Sequence, residues 1–489
     1  MYALTPPLSQ KERESTLRQA AHPPVLVALA VAAGAFAGLS LQVASPVVAA
    51  VCLVALLASA AILRFPFFGV TAFVGIAALL PFAVLPVRVV FAPTLIDLIL
   101  TVLLFSWTVR VLHRDEPIVT THLDHLLVLF IGLAVVSLIL GMGQSAISGE
   151  TLRLFLKLVN SMLLFFSVVQ LVRSEAQLTR VLRTLLLSGG AAAAIATVLY
   201  ALPAETTLAT LWSLDVLGYP TGADVLRPVA GTETLRATGT SVDPNILGGL
   251  LMLVAVVLVA QLFARRPVLS RALLGTIALP VAAALALTYS RSSWVGLVAG
   301  IAFLAVRREY RAALPLALGA AAVAFLPQGR AVLGRLGEAF TASDPASVMR
   351  LAEYRNAWDI ISRYPIFGIG FGSAPSVDLA VGVSSLYLLI AEQMGLVGLG
   401  CFLAIVLAVL ARSISVRPTR ESALYGLLSA LESALVAALV AGLFDHYFFN
   451  IAFPHMVGLF WLIVALLVVA SRLALTRQAE SRQQVAEHA

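Results

Sequence analysis

Of the 489 residues, 60% are hydrophobic and only 12% are charged, about half the charge share of a soluble domain, which excludes a soluble enzyme and a disordered chain. The net charge of +7 comes from basic residues scattered singly or in small groups between apolar runs, a pattern of topology determinants that argues against nucleic-acid binding. Cys52 and Cys401, the two cysteines, both fall inside apolar runs, form neither a disulfide framework nor a metal-ligand spacing, and are expected to be buried.

Residues 1–22 are polar, carry Lys11, Arg13 and Arg18, and lack a small-residue cleavage site, so they read as a cytosolic tail rather than a cleaved signal. A single transmembrane domain is expected over 23–475, with a polar cytosolic tail at 476–489. Within it, apolar runs long enough to cross a hydrocarbon core of roughly 30 Å lie near 23–43, 46–63, 67–86, 90–109, 123–142, 152–172, 184–203, 243–263, 272–289, 292–306, 312–327, 384–411, 423–445 and 455–471. The expected fold is an all-α polytopic integral membrane protein of about 12–14 transmembrane helices, the lower count applying if the short runs 292–306 and 312–327 do not span.

With both termini in the cytoplasm, most of the 32 Lys and Arg fall in cytoplasmic loops, as the positive-inside rule requires. They include Arg110/Arg114, Arg173/Arg180/Arg183, Arg265/Arg266/Arg271, Arg307/Arg308/Arg311 and Arg412/Arg417/Arg420. Two extracytoplasmic loops, 204–242 and 328–383, are far longer than the rest and mix Gly, Pro, Ser, Asp and Arg. Loops of that length in a compact domain are usually functional. The second contains RLAEYRNAWDIISRYP, where Leu351, Tyr354, Ala357/Trp358 and Ile361 recur at helical spacing, predicting a short amphipathic helix at the outer membrane surface.

The outer side also holds arginines that topology does not explain: Arg227, Arg236, Arg291, Arg330, Arg335, Arg350, Arg355 and Arg363. A guanidinium is always charged, and its planar fork matches phosphate oxygens. The set therefore points to an anionic ligand such as a lipid diphosphate. The alternative is pairing with anionic lipid or with Glu233, Glu338, Asp344, Glu353 and Asp359. In the first loop Arg236 precedes Asp243-Pro244-Asn245, where Asp243 can cap a helix that begins at Pro244. Such a helix start is itself an anion-binding position. Tyr289-Ser-Arg291-Ser-Ser-Trp294 places Arg291 at a tight turn between aromatic residues suited to the membrane interface.

These segments together resemble the O-antigen ligase and O-antigen polymerase superfamily. The resemblance rests on Arg236 with Gly239 and Asp-Pro-Asn245, and on Thr-Tyr-Ser-Arg291-Ser-Ser-Trp. It continues through Arg350 to Trp358, Pro365-Ile-Phe-Gly-Ile-Gly-Phe-Gly372 and Glu392-Gln-Met-Gly-Leu-Val-Gly-Leu399, so that it covers roughly 225–400. It implies a metal-independent glycosyltransferase without cofactors, membrane-embedded and of the C-type class, at the bacterial inner membrane. Such an enzyme moves a glycan from an undecaprenyl-diphosphate donor to a glycan or lipid acceptor on the outer face. By position it assigns the diphosphate to Arg236, Arg291 and Arg350, with Arg355 as an additional candidate and Asn245 and Tyr387 in support. It also exposes a departure: a His-Asn pair of many ligases in this superfamily corresponds to Ser384-Ser385 here. A serine cannot serve as a base near neutral pH without a base of its own.

Candidate proton acceptors are therefore sought elsewhere. His446 and His455 flank the last outer turn, and Asp445 adjoins His446, an arrangement suited to orienting an imidazole for proton transfer. Interfacial anchoring is the plainer role of that aromatic turn. Asp359, Asp378 and Glu392 are further candidates. Asp97, Lys157, Glu392 and Glu432 lie inside spans, where charges are costly unless paired or facing a cavity. They favour a competing class, a polytopic anion transporter of bicarbonate type, which the absence of visible repeats and paired broken helices disfavours.

Overall fold

Polar residues placed just before apolar runs cap several of the helices. Thr94 and Asp97 form a reciprocal capping box, as do Ser174 and Gln177, while Ser148 and Ser270 each accept a hydrogen bond from the first turn. Asp243 accepts from the Asn245 and Ile246 amides at 2.7 and 3.2 Å, with Pro244 in the first turn, as the sequence predicts. Each cap satisfies amides that the helix itself leaves unpaired.

The computed structural model describes residues 46–85, 93–113, 118–143, 147–220, 222, 225–229, 232–325, 345–372, 383–416 and 418–488. The expected tail 1–22, the expected span 23–43, and Arg114, Arg330, Arg335, Glu338, Asp344, Asp378 and Arg417 lie outside them. Within the described residues each remaining expected span is a helix: α1 (Pro46–Arg64), α2 (Pro66–Leu79), α3 (Leu95–Leu112), α4 (Asp124–Gly141), α5 (Gly149–Leu171), α6 (Glu175–Ala201), α8 (Pro244–Phe263), α9 (Arg271–Leu287), α10 (Arg291–Arg307), α11 (Ala313–Phe325), α13 (Leu386–Ser415), α14 (Ala423–Ala441) and α15 (Pro454–His488). Eight of these, α3–α6, α8 and α13–α15, are long and apolar enough to cross a membrane. No strand forms among the described residues, where the β-bridges are the isolated pairs Val84–Thr94 and Pro228–Leu235. The chain is an all-α polytopic membrane protein.

α8, α14 and α15 form the centre and are largely covered by their neighbours, whereas α3 and α4 leave most of their surface outward. α10 approaches α14 closely because Gly296 and Gly300 carry no Cβ; one at Gly300 would stand 2.8 Å from both Ala437 Cβ and Ser433 O. Small residues let helix backbones meet where lipid supplies no hydrophobic drive. Cys52 and Cys401 are buried, as expected.

Two helices lie in the long loops: α7 (Ala204–Trp212), which the sequence does not announce, and the expected α12 (Pro345–Arg363). The buried face of α12 keeps Ala357 and Ile361 of the predicted stripe, with Tyr354 half-buried. Glu353, Ala357, Ile360 and Ile361 are buried, while Leu351 and Trp358 are exposed. The apolar spacing thus holds in part, and a carboxylate joins the inner face.

One end of the bundle gathers these loops with the starts of α8, α10, α13 and α15. The opposite end is held by cations. Arg308 forms a buried two-point ion pair with Glu432 at 2.7 and 2.9 Å. Arg183 donates to Val268 O at 2.5 Å, and Arg477 pairs with Glu175 at 2.6 Å. Of the other intramembrane charges, Lys157 pairs with Asp97 at 2.8 Å.

Candidate functional site at the loop end

Arg236 sits on the strand-like return of the first long loop, held by backbone bonds from its N–H to Arg227 O and from Ala237 N–H to Leu287 O. Its Nε donates to Thr288 O at 2.7 Å and its Nη2 to Asn245 Oδ1 at 2.6 Å. The guanidinium thereby ties the end of α9 to the start of α8. Burial pulls its pKa down to about 10, opposed by Asp243 and Asp445 and assisted by Arg227 and Arg350, so it stays charged at neutral pH. Asn245 acts by orienting Arg236. Asp243 has a second task, accepting Arg227 Nη1 at 2.6 Å, which draws another arginine to the start of α8.

The turn between α9 and α10 brings in the second motif. Tyr289 adopts φ +50°, a region uncommon for side-chain-bearing residues, and it reverses the chain within three residues. Beyond it, Ser290 contacts the Ser292 and Ser293 hydroxyls at 3.2 and 2.9 Å. This hydroxyl group fits because α8 passes with Gly248 beside it; a Cβ there would lie 2.7 Å from Ser293 Oγ. Arg291 points toward α12 and donates to Ser347 Oγ at 3.4 Å, one turn from Arg350.

Asp445 links these parts. It is buried; its Oδ2 accepts from Ser292 Oγ at 3.2 Å and its Oδ1 from the His446 amide at 2.9 Å. The His446 ring nitrogen Nδ1 stands 4.0 Å from Asp445 Oδ1 and is buried without a hydrogen-bond partner among the described residues. The charges of Asp445 and Arg350 both act on Arg236, and both act on Tyr354. Arg350 itself makes no hydrogen bond or ion pair among the described residues.

α12 docks through its inner face. Glu353 Oε2 accepts the Ser384 amide at 2.9 Å, and Tyr354 Oη donates to Ser384 O at 3.1 Å. Two residues on, the Leu386 amide donates to Gly442 O and Asp445 O. Glu353, Tyr354, the Ser384-Ser385 start of α13 and the Asp445 turn are thus one connected structure. Burial raises the Tyr354 phenol above its ordinary pKa, with Arg350 opposing and Glu353 and Asp445 reinforcing.

The structure brings Arg236, Arg291, Arg350, Asn245, Asp445 and His446 to one place. Other predicted site residues lie apart from it. Asp359 is exposed and pairs with Arg363 at 2.7 Å, one turn along its own helix. Arg355 is exposed in an open groove shared with Trp358, Asp359, Ser362 and Leu388. Tyr387 donates to Leu439 O at 2.7 Å, joining α13 to α14. His455 is fully buried against Phe82 and Phe453. Among the described residues no group of three His, Cys, Asp or Glu is placed to hold a metal ion.

The glycine-rich motifs prove to be a backbone lock. α13 is broken at Gly395, with φ +68° and ψ −176°, freeing backbone groups that the segment after α12 satisfies. Ile369 and Gly370 amides donate to Glu392 O and Gln393 O at 2.9 and 3.0 Å, and the Leu396 amide donates to Pro365 O at 2.7 Å. Ser137 on α4 donates to Phe367 O at 3.1 Å and also to Gln393 O. Irregular backbone at membrane depth survives only where protein pairs it. The lock fixes the C-terminal end of α12 and hence the position of Arg350 and Glu353. Glu353 and Tyr354, at i+3 and i+4 from Arg350, share its face of α12, a spacing that the sequence itself displays.

Residues 276–403 match the family model described as O-antigen ligase, which supports the resemblance to the O-antigen ligase and polymerase superfamily. The match contains Arg291, Arg350 and Glu353; Arg236 and Asp445 lie outside it and complete the same site. No curated protein matches the chain.

Proposed function

From this O-antigen ligase domain, we propose that the protein transfers a glycan from an undecaprenyl-diphosphate donor to an acceptor on the outer face of the bacterial inner membrane. It acts as a surface-polysaccharide polymerase or an O-antigen ligase-like enzyme. The observation that carries the reading is the convergence of Arg236, Arg291 and Arg350 at one end of the bundle, with Arg350 unpaired among the described residues. Negative charge builds on the departing diphosphate as the glycosidic bond breaks, and cations already held in place stabilise it without reorganising. Arg236 is held by Thr288 and Asn245, and Arg350 is free to complete the grip.

The orientation follows from charge. Arg173, Arg183, Arg265, Arg308 and Arg472 all lie at the opposite end, which supports a cytoplasmic assignment for it. The loop end then faces outward, where a lipid-linked glycan is presented. Asp445, with both oxygens bonded, holds the Ser292 hydroxyl and the start of its own turn; His446 stacks beside Phe453.

The test is reconstitution of the purified protein in proteoliposomes with an undecaprenyl-diphosphate oligosaccharide, following glycan transfer. Arg236→Ala, Arg291→Ala and Arg350→Ala should each reduce transfer by roughly 10²–10³-fold, the cost of removing one preorganised charge-stabilising donor. Normal transfer in all three intact variants would refute the diphosphate clamp. Anion uptake without glycan transfer would establish a transporter instead.

A further inference from the structure

We propose that Glu353 is the proton acceptor for the attacking hydroxyl, a role that rests on the transfer reading above. Two buried carboxylates stand in this site, and their bonding differs. Asp445 has both oxygens engaged, by Ser292 and by the His446 amide. Glu353 is engaged through Oε2 alone, by the Ser384 amide at 2.9 Å, and Oε1 makes no hydrogen bond among the described residues.

Its placement is set by rigid parts. Glu353 is 6% exposed, on the inner face of α12 and one turn from Arg350. The Ser384 amide fixes one oxygen, and Tyr354 anchors the next position of the helix to Ser384 O. The backbone lock at Gly395 holds the far end of α12. A carboxylate fixed through one oxygen presents the other in a defined direction, which a proton-accepting group requires. The nearby cations keep the leaving diphosphate on the same side of the site.

The step balances as follows. The acceptor hydroxyl gives its proton to Glu353 Oε1 as its oxygen bonds to the anomeric carbon of the donor sugar. The bond from that carbon to the diphosphate oxygen breaks, and its electron pair leaves with the diphosphate, where Arg236, Arg291 and Arg350 meet the charge. Glu353 then releases the proton to solvent.

The purely architectural role, a tether between α12 and α13, is separable by substitution. In Glu353→Gln the amide oxygen can still accept the Ser384 N–H, but the side chain cannot take a proton. The full-length protein in proteoliposomes is assayed for transfer from undecaprenyl-diphosphate oligosaccharide, and separately for binding of undecaprenyl diphosphate itself. Glu353→Gln should bind undecaprenyl diphosphate within about 2-fold of the native protein and lose roughly 10²–10⁴-fold in kcat. The acid limb of the kcat–pH profile should vanish, and Glu353→Asp should recover part of the rate. Transfer within about 5-fold of native by Glu353→Gln, or parallel loss of transfer and undecaprenyl-diphosphate binding, would overturn the proposal. Absence of any transfer by the native protein would instead overturn the reading on which it rests, and the proposal with it.

Discussion

Arg236 and Arg350 carry the same charge into one site but are held differently, so their removal should separate binding from stability. Arg350 makes no hydrogen bond or ion pair among the described residues. Truncating it to alanine should leave stability within about 0.5 kcal/mol of native, as for a side chain that supports no buried partner. The same change removes a charged contact to the diphosphate worth about 1.5–3 kcal/mol, or roughly 10–150-fold in affinity. Arg236 instead satisfies Thr288 O and Asn245 Oδ1. Arg236→Ala strands both acceptors, each at about 1–3 kcal/mol, so stability should fall by roughly 2 kcal/mol or more along with affinity. Thermal unfolding in detergent and calorimetric titration with undecaprenyl diphosphate measure the two quantities on the same samples. Arg350→Ala unfolding more readily than Arg236→Ala while keeping native affinity would contradict the argument.

At the opposite end, Glu432→Ala should cost about 3–5 kcal/mol because it leaves Arg308 buried and unpaired, whereas Arg308→Met with Glu432→Leu should come much closer to native in the same unfolding assay. Gly395→Ala should destabilise by roughly 1–3 kcal/mol from its positive φ alone, with more from a Cβ driven against Ile366 backbone. Gly400→Ala, where a Cβ meets nothing within 4 Å, is the control and should be neutral or slightly stabilising. Asp359→Asn should leave transfer within about 2-fold, since that side chain is exposed and bonded to Arg363; Asp445→Asn should lower it far more, because Asp445 accepts from Ser292 and its charge acts on Arg236.

The helices were legible because membrane insertion imposes a one-dimensional rule. A run of apolar residues must satisfy its backbone internally, so the spans expected at 152–172 and 243–263 stand in the structure as Gly149–Leu171 and Pro244–Phe263. Arg236 and Asn245 were also legible as neighbours, being nine residues apart across a capped helix start. The inner face of α12 was legible only in part. Helical spacing selected Leu351, Tyr354, Ala357/Trp358 and Ile361, of which Ala357 and Ile361 are buried, but the buried stripe also carries Glu353.

What the sequence determined by itself was the class of the protein, the placement of its spans and the family signature of its arginines. Only the tertiary structure decided which outer charges share a site. Arg236, Arg350 and Asp445 come from segments separated by about a hundred residues each, and nothing local relates them. Their meeting depends on the break at Gly395, where long-range backbone hydrogen bonds seat the end of α12 on α13. Those bonds involve amides and carbonyls common to every residue, and so leave little trace in side-chain chemistry beyond the glycines that make room for them.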